Sequence, residues 1–105
     1  MFVATYAMFR DALAAGDLER VMQMARNLGQ SIRLDDALRV CLLVRDEPER
    51  FQRAAVRWLG RFALEGRGIA IADLQEAADA MDAMPRHPAA AMERLAALCV
   101  AHGVG

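Results

Sequence analysis

At 105 residues, 56% of them apolar, the chain is long enough for one domain with its own core and too short for two. A formal net charge of −1 gives no overall field to attract nucleic acid or an anionic membrane, and two cysteines are too few for the disulfide framework of a small secreted domain. Alanine leads the apolar residues while β-branched and aromatic residues are few, which favours closely packed helices over a sheet.

The first helix is expected over about residues 2–15, where Phe2, Tyr6, Phe9 and Leu13 repeat at i, i+4, i+7 and i+11. Gly16 supplies its left-handed stop and Asp17 caps a second helix, which buries Leu18, Val21, Met22, Ala25 and Leu28 before Gly29 ends it. So short a connection makes these two helices an antiparallel hairpin. Asp35 is read as the cap of a third helix reaching about Val44. That helix carries Leu38, Val40, Cys41, Leu42, Leu43 and Val44, apolar on nearly every side, as in a fully buried helix or one with a face reserved for a partner.

The fourth helix is the longest and the anchor for the others. Asp46 with Glu49 reads as a capping box and Pro48 falls in the first turn, where its missing N–H costs nothing. Phe51, Ala54, Ala55, Trp58 and Phe62 form its apolar face, while Arg50, Arg53, Arg57 and Arg61 make a narrow second stripe. Gly66-Arg67-Gly68 breaks it. A fifth helix over about 70–83 buries Leu74, Ala77, Ala78, Met81 and Met84. After the Pro85-to-Pro88 turn, a sixth helix buries Met92, Leu95, Ala96 and Cys99 and stops at Gly103.

The fold class is therefore all-α: six helices in three antiparallel hairpins, one domain over 1–105. The hairpins open near residues 2, 34 and 70, and the stretch Ala12-Leu-Ala-Ala-Gly16-Asp17-Leu18-Glu19, followed by Ala25 and Leu28, resembles the inter-helix turn of a tetratricopeptide repeat. The resemblance covers the first thirty residues or so; the later hairpins lack the matching small residue and glycine. It implies a short right-handed stack of hairpins rather than a closed bundle.

Arg50, Arg53, Arg57 and Arg61 are the sharpest polar feature and the candidate contact for an anionic partner. The fifth helix, with Asp73, Glu76, Asp79 and Asp82 and no basic residue, offers a competing explanation. Folding back would bring Arg61 near Asp73 or Glu76 and Arg57 near Asp79, and Glu49 is spaced to pair with Arg53. All thirteen basic residues are arginine, which together with abundant alanine is what a GC-rich genome encodes by default.

Catalysis finds no support in the sequence. His87 lies in a turn and His102 near a chain end that is expected to fray, and neither has an Asp or Glu at helical spacing. Cys41 and Cys99 sit in apolar runs with no base to make a thiolate, the setting of reduced thiols in a cytosolic protein. The N-terminus lacks a basic region ahead of its apolar run, so no signal peptide is read. The longest aliphatic run, Val40 to Val44, is too short to span a bilayer.

These readings lead to a non-enzymatic, cytoplasmic module for protein–protein contact or self-association, with no cofactor, metal or small-molecule substrate. Met8, Met24, Val40 and Leu43 fall off the assigned faces; they are either apolar surface for a partner or a second copy, or are covered because layers of hairpin bury both sides of the middle pair. The alternative is an accessory protein that contacts nucleic acid through the four arginines.

Overall fold

The computed structural model describes residues 5–105. Its helices are α1 (Tyr6–Ala15), α2 (Leu18–Leu28), α3 (Leu34–Leu43), α4 (Pro48–Glu65), α5 (Ile71–Ala83) and α6 (Pro88–Ala101), with a single 3-10 turn at Gly29–Ser31. No strand occurs among the described residues, so the all-α class and the count of six helices are as expected. Phe2, the first residue of the expected α1 face, lies outside the described residues.

Most helix ends follow from local chemistry. The Thr5 side chain accepts the N–H of Met8 at the start of α1. At its end Gly16 takes φ 69°, and the N–H groups of Gly16 and Asp17 turn back to the carbonyls of Leu13 and Ala12. Asp17 caps α2 as expected, its carboxylate accepting from the N–H of Arg20.

Two caps differ from the sequence reading. The Asp46–Glu49 capping box does not form. The Glu47 N–H bonds to the Val44 carbonyl in the preceding turn, which leaves Asp46 out in that turn and makes Glu47 the cap residue, with Pro48 first in the helix. In α3 the cap position is Arg33 rather than Asp35. Leu34 is drawn into the core as the first helical residue, and Asp35 instead accepts the N–H of Asp36.

The buried residues divide into two clusters that meet at α3. The larger joins Leu34, Leu38, Cys41 and Val44 of the α3 region to Phe51, Ala55, Trp58 and Phe62 of α4, and to Ala77, Ala80, Met81, Met84, Ala91, Leu95, Leu98 and Cys99 from the α5–α6 hairpin. The smaller lies inside the first hairpin: Phe9, Ala12, Val21, Met24 and Ile32, with Ala37, Val40 and Leu43 of α3 against it. That arrangement explains the all-round apolarity of α3, which has a core on each side. It also favours burial within the fold over partner surface for Met24, which is fully buried, and for Met8, Val40 and Leu43, which are half-buried against the small cluster.

The α4 face is as expected. Trp58 stacks on Phe62 with ring centroids 5.4 Å apart and planes 8° from parallel, and its indole N–H donates to the Leu34 carbonyl at 2.9 Å. One side chain thus ties α4 to the start of α3. In the alanine-rich hairpin the faces are rotated from expectation: Ala80 and Ala91 are buried, whereas Ala78 and Ala96 are exposed and Leu74 and Met92 only half-buried.

Cys41 and Cys99 are both buried and unpaired. Burial pushes the Cys41 thiol up to about 12 and the Cys99 thiol up to about 11, the latter with a smaller contribution from Asp35. A thiolate-dependent reagent at neutral pH is therefore expected to modify neither in the folded protein and both in denaturant. Rapid labelling of the native chain would contradict this packing.

Candidate functional site

The four arginines of α4 divide into two pairs. Arg61 donates to Glu65 at 2.7 and 3.3 Å, and Arg50 lies 3.6 Å from Glu47. Arg53 and Arg57 are exposed, and among the described residues no carboxylate lies within ion-pair distance of either.

The expected pairing with the acidic α5 does not occur, nor does that of Glu49 with Arg53. Asp73 takes the N–H of Ala70 and faces His102, Glu76 lies 3.9 Å from Arg94 of α6, and Asp82 lies 3.9 Å from Arg86. The reason is geometric. The two helices meet through Phe62, Ala77 and their neighbours in the large cluster, which turns the charged flank of each away from the other.

Arg53 and Arg57 share their side of α4 with apolar residues. At 100° per residue, Arg53, Val56, Arg57, Gly60 and Leu64 fall within about 100° of one another. Val56 is 59% and Leu64 87% exposed, and nothing lies within 4 Å of where a Cβ on Gly60 would stand. The result is a strip one helix wide, basic and apolar together, with a flat point at its middle. A shallow depression of about 470 Å³ at Pro48, Glu49, Gln52 and Arg53 adjoins its N-terminal end.

A second polar feature escaped the sequence reading. Asp36 is 0% exposed. Its Oδ2 accepts the Tyr6 hydroxyl proton at 2.5 Å, and its Oδ1 accepts from Arg39 Nη1 at 2.7 Å. Arg10 Nε lies 3.8 Å from Oδ2, and the Tyr6 oxygen in turn accepts the Arg33 N–H at 2.9 Å. A buried carboxylate is tolerated only with such partners. The trace in the sequence is slight: Tyr6 and Arg10 one turn apart on α1, and Asp36 and Arg39 one turn apart on α3.

His102 is also better placed than its position near the chain end implied. Its Nδ1 is 2.8 Å from the Arg67 carbonyl and its Nε2 is 3.4 Å from Asp73 Oδ1. Its ring meets Phe62 edge-on, and the Arg67 N–H bonds to the His102 carbonyl. These contacts tie the end of α6 to the α4–α5 turn, where the sequence alone offered no partner for His102. Both ring nitrogens face acceptors, which suits a structural clamp more than a proton shuttle.

No group of three or more potential metal ligands occurs among the described residues, and no described helix is long and apolar enough to cross a membrane. Comparison with protein-family models, with curated proteins and with solved structures finds no match.

Proposed function

We propose that the chain is a non-enzymatic module for protein–protein contact, and that it binds through the outer strip of α4. The observation that carries this reading is the juxtaposition of Arg53 and Arg57, free of carboxylates, with exposed Val56 and Leu64 across a bare Gly60. Apolar side chains supply the area that association needs, and arginines at the rim set orientation by charge. The fitting partner is a polypeptide segment with acidic residues flanking an apolar one, from another protein or from a second copy. Its source would be cytoplasmic, in keeping with two reduced thiols.

The absence of catalysis in this proposal is supported by the thiols, which are buried without a base, and by His102, whose nitrogens are already engaged. Nucleic acid fits less well. With Arg50 and Arg61 held by Glu47 and Glu65, the row reduces to two unpaired cations on a chain of net charge −1.

The test is native co-purification, followed by titration of the captured polypeptide with purified chain, beside sedimentation of the chain alone. Arg53→Glu with Leu64→Asp is expected to weaken that complex, or the dimer, about tenfold or more while the helical content is unchanged. A strict monomer without a polypeptide ligand would overturn the reading. Oligonucleotide affinity that falls steeply with salt and weakens when Arg53 and Arg57 become Ala would transfer it to nucleic acid.

A further inference from the structure

The small cluster of the first hairpin ends at Ile32 and the large cluster begins at Leu34. The boundary between the two cores therefore falls at a single residue of the backbone, Arg33. Phe9, Ala12, Val21, Met24 and Ile32 pack on one another, and the hairpin meets the rest of the molecule along a seam. Ala37, Val40 and Leu43 of α3 line one side of that seam, and Leu18 and Met22 of α2 reach across it to the large cluster.

The strongest polar link across the seam is the bond from Tyr6 of α1 to buried Asp36 of α3, joined by the Arg33 N–H to the Tyr6 oxygen. These bonds sit beside the boundary itself. The Trp58 bond to the Leu34 carbonyl holds the first residue on the other side.

We propose that the α1–α2 hairpin, residues 5–32, opens as a unit about Arg33, with the Tyr6–Asp36 bond as its latch. A unit with its own buried core gains and loses its structure together, so an opening that unfolds α1 and α2 while α3 to α6 stay packed costs less than unfolding the whole chain. The open form uncovers Ala37, Val40 and Leu43 while α3 stays on α4 through Leu34, Leu38 and Cys41. This inference does not depend on the α4 strip as a binding surface.

Native-state hydrogen exchange of the full chain over a urea series tests it. Amides within α1 and α2 are expected to share one opening constant and one urea slope, with faster exchange than the amides around Trp58 and Phe62. Tyr6→Phe is expected to raise exchange of the hairpin amides about tenfold or more, with no change in α4 to α6 beyond twofold. Three results would overturn the proposal. They are a single opening free energy for hairpin and α4 alike, a graded series fastest at the ends of α1 and α2, and an equal acceleration of all helices by Tyr6→Phe. Because the wild-type comparison stands by itself, the idea is tested even if the variant fails to fold.

Discussion

Trp58→Ala is expected to lower the unfolding free energy by about 3–5 kcal/mol, the usual cost of removing a large aromatic from a packed core. A chain of this size has roughly 5–15 kcal/mol in total, so the variant should retain helix at low temperature and lose its cooperative transition on mild heating. Two contributions are combined in that loss. The indole fills the space between α3 and α4 and stacks on Phe62, and its N–H occupies the Leu34 carbonyl.

Trp58→Phe separates these contributions. It keeps a ring against Phe62 and removes only the donor and some volume, for an expected cost of about 1–3 kcal/mol. Urea unfolding followed by far-ultraviolet circular dichroism measures both variants, since the only tryptophan is gone. A loss below about 1 kcal/mol for Trp58→Ala would mean that α4 is not the wall on which the other helices rest.

The role of α4 was readable because its face is written in large side chains. Phe51, Ala55, Trp58 and Phe62 contrast with the arginine stripe on one flank, and a 3.6-residue period has only one solution there. In α5 and α6 that contrast is missing. Alanine occurs all round both helices, so the sequence could not distinguish buried Ala80 from exposed Ala78, or buried Ala91 from exposed Ala96. Packing partners decide such faces, and they come from other parts of the chain.

The polar contacts were harder still. Asp35 and Asp36 are adjacent carboxylates in one helical turn, equivalent to any local rule, yet only Asp36 is buried, because Tyr6 lies thirty positions earlier in the chain. The α4 arginines failed in the opposite sense. Opposite charges on consecutive helices imply pairing only if the charged flanks face each other, and flank orientation follows from the buried faces. Arg61 found Glu65 one turn away instead, a contact that i, i+4 spacing alone allows.

Asp36→Ala is expected to cost roughly 2–3 kcal/mol, the second-largest single loss. The change strips the Tyr6 hydroxyl of its acceptor and Arg39 of its 2.7 Å partner at a point closed to water. The loss stays below that of Trp58→Ala because both arginines around the carboxylate are half-exposed and can rehydrate. Arg10→Ala, which removes the 3.8 Å contact, should cost under about 1 kcal/mol. An order in which Arg10 exceeded Asp36 would show that the buried carboxylate is incidental.

The same contact has a signature in alkali. Burial, then the hydrogen bond to Asp36, raises the Tyr6 phenol above its ordinary value of 10.0. Tyr6 is the only tyrosine, so phenolate absorbance reads this group alone. A group whose pKa is raised by folding adds stability that is complete below its unfolded value. That stability is lost as the pH rises through the folded value. The latch should therefore be intact at neutral pH and weaken only above pH 10. Asp36→Asn removes the charge and should lower the phenol midpoint while burial keeps it from falling under 10. A folded wild-type chain that titrates at or below 10 would place Tyr6 in water, and the link between the first hairpin and α3 would then have to rest on Ala37, Val40 and Leu43 alone.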